Sequence, residues 1–415
     1  MAARSPISLR ADWSVVPLGE ITTKIGSGAT PTGGEDSYLP ERARYALVRS
    51  QNVFDRRFDS AGLAFISDEQ ASRLQGVVLK PKDLLLNITG DGVTFSRACM
   101  VPTDILPACV NQHVAIVRVN QSIADPGYVL SYLTHPLVKS YIESFNAGGS
   151  RRAITKGHIE SFAIPLPSLP EQRAIARTLG TLDEKLELNR QMSETLERLA
   201  RALFESAFEK SGGSRMGTFS EVVQLRRDPE NPLTSPDTVF AHFSIPAFDE
   251  RQYPVLERGD SIKSLKSRVP AGAILLSKLN PEIERVWLVD VKAGDRAVCS
   301  TEFLVLCPRD PFHRAYVYCL ARSPAFRRQI ETLVTGTSKS HQRAHADAIL
   351  RLPVALPPKD AATTFQKAAS PLLDRALACR RESKTLAELR DSLLPKLISG
   401  ELRVCESERI AGVTV

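Results

Sequence analysis

Ile164-Pro165-Leu166-Pro167-Ser168-Leu169-Pro170-Glu171-Gln172-Arg173-Ala174-Ile175 decides how this chain folds. Its three prolines close a globular segment, because proline lacks the donor a sheet needs and cannot sit in a helix interior. Beyond them the hydrophobic period changes. Ile175, Leu179, Leu182, Leu186, Asn189, Leu196 and Leu203 follow in steps of mostly four and three, the seam of a coiled coil. The run from Glu171 to Phe208 predicts a rod of about 57 Å, at about 1.5 Å per residue.

The same order then returns. Gly148-Gly149-Ser150-Arg151-Arg152 precedes the first proline cluster, and Gly336-Thr337-Ser338-Lys339 precedes Val354-Ala355-Leu356-Pro357. A second run, Phe365 to Leu397, carries Phe365, Leu372, Leu386, Leu393 and Leu397 on its seam. Pro81 and Pro270, Pro167 and Pro357, and Leu196 and Leu386 stand 189 or 190 residues apart. A period of that size is a duplicated domain, not a solenoid unit. Two long helices without other partners in their own segments bury most by pairing with each other. The pairing is expected to be antiparallel, since the first helix ends where the second copy begins. Gly212-Gly213-Ser214 supplies a flexible joint there, and Asn189 and Ser383 are polar seam positions suited to fixing register.

Within each copy, strand and helix signals mix. Leu84-Leu85-Leu86-Asn87-Ile88 and His113 to Val119 read as strands, with Ala273 to Leu276 and Phe303 to Leu306 as their equivalents. Asp125-Pro126 and Asp310-Pro311 open helices, and Pro136 opens another. The expected class is α/β (α+β): two similar domains at 1–168 and 213–358, helices at 169–212 and 359–403, and a tail at 404–415.

Composition sets bounds. The 415 residues are 43% hydrophobic and 24% charged, ordinary for folded domains. A net charge of +7 and a pI near 9.0 permit a polyanionic partner. Seven cysteines, odd in number and without a C-x-x-C pair, point to reduced thiols in a cytoplasmic protein and to no zinc site. No apolar run resembles a signal peptide or a membrane span, so no membrane partner is expected.

Catalytic motifs fall short. Gly28-Ala29-Thr30-Pro31-Thr32-Gly33-Gly34-Glu35 has phosphate-loop spacing, but Gly34 and Glu35 stand where Lys and Ser/Thr are required. Asn231-Pro232-Leu233 and Asn280-Pro281-Glu282 lack the second proline and the aromatic ring of an amino-methylation site. His341 and His345 are four apart, a spacing at which one helix face could offer both to a metal, but no third ligand is evident nearby; the Glu171, Asp183 and Glu184 carboxylates suit a helix start. Polar and basic loops are the positive finding. Arg151, Arg152 and Lys156 in the first copy, and Lys339, Gln342 and Arg343 in the second, adjoin strands and can meet phosphates. Arg49, Gln51 and Asn52, with Thr89, and Lys263, Lys266, Ser277, Lys278 and Asn280 in the second copy, are candidate DNA-binding residues. Arg, Lys, Gln and Asn are the side chains that read base edges.

Taken together, these segments resemble the specificity (S) subunit of type I restriction–modification enzymes. The first copy carries Gly28-Ala29-Thr30-Pro31, Gln51-Asn52-Val53, Asn87-Ile88-Thr89-Gly90, Asn111-Gln112-His113 and the proline-rich run into Gln172. The second carries His242 to Pro246, Ile262-Lys263-Ser264, Ser277 to Pro281 and Arg285-Val286-Trp287, and the tail Leu393 to Leu402 fits too. The second copy departs from the pattern: it lacks Gly-x-Thr-Pro, and Pro357-Pro358-Lys359-Asp360 replaces the Pro-x-x-Glu-Gln helix start. The resemblance implies two target-recognition domains reading a split, asymmetric site in double-stranded DNA. It also implies paired helices that space them and seat two methyltransferase subunits, with two restriction subunits joining. The chain itself would be non-catalytic, with no metal or cofactor; S-adenosylmethionine, ATP and Mg2+ would belong to the partners.

Overall fold

The computed structural model describes residues 6–7, 10, 12–90, 94–145, 152–209, 215–292, 294–335 and 342–404. The chain forms two compact units. One joins the residues up to Leu188 with those from Thr385 onward, and the other is Asn189–Lys384. The division cuts through both long helices, Leu169–Phe204 and Lys359–Ser399, so each unit owns part of each. The first helix continues as a π-helical turn over Glu205–Glu209, and the Gly212–Ser214 joint lies outside the described residues.

The first unit is built on a four-stranded antiparallel sheet in the order Thr22–Ser27, Val114–Val119, Leu84–Asn87, Ala98–Met100. Its central strands are apolar on both faces because both faces are covered. Leu84, Leu86, Ala115 and Val117 join the core formed with the long helices. Leu85, Val114 and Ile116 face a second core under a small sheet. That small sheet has three strands, with Ala108–Val110 parallel to Tyr45–Val48 and Ala64–Ile66 antiparallel to it. Helices Pro126–Leu133 and Pro136–Ser144 pack on the helix side, each with proline in its first turn and capped by Asp125 or His135. Tyr128 and Tyr132 donate hydrogen bonds to the carbonyls of Pro165 (2.8 Å) and Ala163 (3.0 Å), tying this helix to the strand that leads into the first long helix.

The second unit repeats the plan with Val223–Arg226, Phe303–Pro308, Ile274–Ser277 and Val286–Leu288. Its small sheet has five strands, in the order Pro229–Glu230, Lys266–Arg268, Ala297–Cys299, Val239–Phe243, Val255–Arg258. The last three match the three strands of the first unit in order and direction.

Both units show how the long helices pair. In the first, Ile175, Leu179 and Leu182 share a core with Leu393, Leu394, Leu397 and Ile398, and Asp183 meets Arg390 at 3.0 Å. In the second, Asn189 reaches Glu382 (3.0 Å), while Phe204 stacks on Phe365 at 6.0 Å. Partner numbers fall as helix numbers rise, so the segments run antiparallel. The seam departs in detail from the leucine spacing. Leu186, Leu196, Leu203, Leu372 and Leu386 are half-buried. Ala200, Phe204, Phe208, Ala369, Leu373 and Leu377 fill the second unit's core. A helix of 3.6 residues per turn drifts against a 3.5 repeat, and here the drift brings Phe204 and Phe208 onto Tyr316, with centroids 5.4 and 5.1 Å away.

Candidate functional site

The sheet of the first unit gathers loops at one of its ends. Ser27 pairs with Ala115 and Asn87 with Val114, so the loops after Ser27, before Val114 and after Asn87 emerge side by side. Backbone bonds lace them together. Gly28 N–H donates to the Asn111 and Val114 carbonyls (3.1 and 3.3 Å), and Ile88 N–H to the His113 carbonyl (3.0 Å). Only glycine fits at position 28, where a Cβ would lie 1.7 Å from the Val110 carbonyl oxygen. Asn87 is fully buried and donates to the Ser50 and Thr94 carbonyls, both at 2.9 Å, which draws in the Arg49–Asn52 loop. The basic segment returns here as well: Arg152 pairs with Gly90 and Ala153 with Thr89, and Ile154 N–H donates to the Ile88 carbonyl. Five sequence-defined segments therefore converge at one sheet end.

The side chains divide into two groups. Gln51 and Lys156 are exposed, and Lys156 lies 3.4 Å from Glu160. Thr89 is half-buried, with its hydroxyl 2.6 Å from His113 Nδ1. Arg49 and Asn52 instead hold the loop. The Arg49 guanidinium donates to Glu35 (2.6 Å) and to the Gly62 carbonyl (2.7 Å). Asn52 is fully buried; it accepts from Arg49 N–H and donates to the carbonyls of Asp59 and Ala61. Base-edge contact by these two would break the turn that presents Gln51. Arg151 and the Arg152 side chain lie outside the described residues.

The second unit converges in the same way. Leu279 bridges to Arg343, the place of Thr89 and Ala153, while Asn280 N–H donates to the Gln342 carbonyl and Ala344 N–H to that of Lys278. Lys278 and Gln342 are half-buried, and the exposed Arg343 holds Glu302 through two bonds of 3.0 Å. Ser277 is 3% exposed and closes a turn with Leu279, so it too is a scaffold residue. Asn280 adopts a left-handed φ of 48° and is half-buried. Lys263 is exposed and Lys266 half-buried, both away from these loops on the small-sheet side. Lys339 and His341 lie outside the described residues.

Two buttresses escape the sequence reading. Asp183, assigned to a helix start, sits well inside the first long helix and bridges Arg56 (2.6 Å) and Arg390. Glu197 does the same in the second unit, accepting from Arg322 (2.5 Å), Tyr318 (3.0 Å) and Arg380. Burial raises the Glu197 carboxyl, but Arg380 and Arg322 outweigh it and hold the group below the usual carboxylate range. A legible clue existed: Arg390 falls on a heptad position between Leu386 and Leu393.

Three of the described thiols are poor candidates for nucleophiles. Burial pushes Cys109 up to about 11 and Cys299 and Cys319 up to about 12, which leaves them protonated at neutral pH. Among the described residues no three His, Cys, Asp or Glu side chains group as metal ligands, and no helix is long and apolar enough to cross a membrane.

Residues 11–198 match the family model described as the type I restriction modification DNA specificity domain. The putative type I restriction enzyme MjaX specificity subunit of Methanocaldococcus jannaschii is 30% identical over 190 residues, 45% of this chain and 40% of that protein. The type I restriction enzyme HindI specificity subunit of Haemophilus influenzae is 20% identical, over 94% of this chain and all of its own length. Among solved structures, the type I restriction–modification S subunit from M. genitalium superposes with a TM-score of 0.58 at 12% identity, covering 95% of this chain and 98% of that one. Residues 11–198 thus match the specificity domain of type I restriction–modification systems, the chain is similar over nearly its whole length to specificity subunits of such systems, and its fold, with duplicated sheets, is that of a solved S subunit.

Proposed function

We propose that this chain is the DNA sequence-specificity subunit of a type I restriction–modification complex, binding a bipartite asymmetric site and lending that specificity to partner enzymes. The observation that carries the reading is the recurrence of one construction in two units: a sheet end where a basic segment is stitched to the residues that follow a central strand of the large sheet. Gln51, Thr89 and Lys156 in the first unit, and Lys278, Gln342 and Arg343 in the second, are the described residues offered for DNA. Loss of a base contact is expected to cost about 1–3 kcal/mol at one position, and loss of a phosphate contact to weaken all sequences alike.

The long helices act as spacer and as the seat for two methyltransferase subunits, with two restriction subunits completing the cytoplasmic assembly. S-adenosylmethionine, ATP and Mg2+ belong to those partners, and this chain is non-catalytic. Equivalent major-groove positions recur about every 34 Å, so helix length would set the unread gap between half-sites. A mobility-shift assay on the source genome's methylated sequence, with and without methyltransferase subunits, tests the reading. Sequence-selective binding by the complex is expected. Absence of binding would leave a scaffold role, and S-adenosylmethionine binding by the purified chain would point to an autonomous enzyme.

A further inference from the structure

The small sheets of the two units share a frame but differ at one edge. Ala108 pairs with Ala46 and Ala297 with Ala241, which makes Cys109 and Val298 equivalent. In the first unit Val78 forms a single bridge to Cys109, and the residues leading to it form a Ser67-capped helix bearing Asp68, Glu69 and Arg73. In the second unit Arg268 takes the place of Val78 opposite Val298. It ends a strand, Lys266–Arg268, which is reached through Lys263 and extended by Pro229–Glu230.

Register puts the cations on one face. Cross-strand partners share a face and alternate residues return to it. Arg268 lies beside Val298, which packs with Phe240 and Ile262, while Ala297 and Cys299 enter the core on the other side. Lys266 is on the same face, directly opposite Glu230. Arg296 lies over the Phe240 ring, 5.4 Å from its centroid. The Glu230 side chain is 7% exposed and bonds both Arg268 and Arg296, which remain 61% and 48% exposed. One sunken carboxylate thus fixes two guanidiniums whose outer surfaces face solvent. Exposed Lys263 and half-buried Lys266 extend the row.

We infer that this added edge of the second unit, Lys263, Lys266, Arg268 and Arg296 over Glu230, is a phosphate-gripping surface for duplex DNA with no counterpart among the described residues of the first unit. The inference rests on the DNA-reading function and deepens it: the second unit holds the backbone over a wider area than its reading loops span. Arginines pre-oriented by a buried carboxylate lose less entropy on meeting a phosphate, and their contacts carry affinity without sequence information.

The test compares the full chain, assembled with methyltransferase subunits, with the K263Q/K266Q/R268Q/R296Q variant on a random-sequence duplex and on the methylated target. Each lost phosphate contact removes about 0.9 from the slope of log affinity against log salt, so the variant should lose up to about 3 to 4 units on both duplexes. The bases methylated should not change. Because that variant strands Glu230, K263Q/K266Q provides a milder form that should lose about 2 units with an unaltered unfolding transition. Unchanged slopes for both variants with intact wild-type binding would overturn this surface alone. Wild-type failure on every duplex would overturn the DNA-reading function with it. Loss of methyltransferase binding at unchanged DNA affinity would make the surface a protein contact instead.

Discussion

The first unit hangs three strands and an acid-bearing helix on its large sheet; the second hangs five strands and a row of cations. Closer to the long helices the two are alike. Each has the same four-strand order, a pair of proline-started helices or helical turns, at least one tyrosine bonded to the exit strand, and a carboxylate clasped by two arginines. The contrast teaches where the architecture tolerates change. Residues that seat the long helices must fit a fixed partner, whereas the small sheet ends in solvent and can be rebuilt without disturbing that fit.

The buttresses should separate the units most strongly. Glu197→Gln leaves Arg322 and Arg380 without their shared counter-charge in a site where Glu197 is 6% exposed, and should cost about 3–5 kcal/mol. Asp183→Asn, at a side chain 19% exposed, should cost less, about 1–3 kcal/mol. Denaturant titrations of the two variants check the order, and equal losses would erase the distinction. Acid sharpens it. A carboxylate whose folded pKa is lowered contributes stability above its unfolded value, and that contribution disappears as pH falls through the folded one. The gap between wild type and Glu197→Gln should therefore close below the usual carboxylate range.

Gly28→Ala comes next, because its Cβ would strike backbone rather than a movable side chain. About 1–3 kcal/mol of destabilisation is expected, together with weaker DNA binding through the first unit's loops. Normal stability and binding would show that the loop cluster is not tightly built. The smallest effect concerns a substitution between the copies. Gln172 is buried and accepts from the N–H of Asp125, the helix cap, at 3.0 Å, whereas Gln366 accepts from Ala315 N–H, inside the first turn of the corresponding helix, at 2.9 Å. Gln172→Ala and Gln366→Ala should each cost about 1–2 kcal/mol. Thermal unfolding would show whether one cap matters and the other does not.

Gln366 also marks how far the sequence could be read. The missing Pro-x-x-Glu-Gln at the second helix looked like a lost feature, but a comparable bond to the start of the neighbouring helix is made one turn later by a glutamine that no local motif announces. Strand identities and the helix starts at Pro126 and Pro136 were legible because apolar runs and helix-opening prolines are local signals, whereas Asp310-Pro311 opens only a 3-10 turn and the helix itself begins at Arg314. The seam was legible through Ile175, Leu179, Leu182, Leu393 and Leu397, all 3% exposed or less. It failed where alanine and phenylalanine replaced leucine and where the sheet domain supplied part of the contact. The candidate site was legible as segments, not as side chains. Periodicity placed Arg49, Asn52 and Ser277 in polar loops, but only the fold shows that their bonding capacity is used within those loops.

The most direct test of the account exchanges residues 1–168 for the corresponding domain of another specificity subunit and maps methylated adenines genome-wide. One half of the bipartite site should change while the other half and the gap between them stay as they were. A change in both halves, or in neither, would contradict two independent readers in one chain.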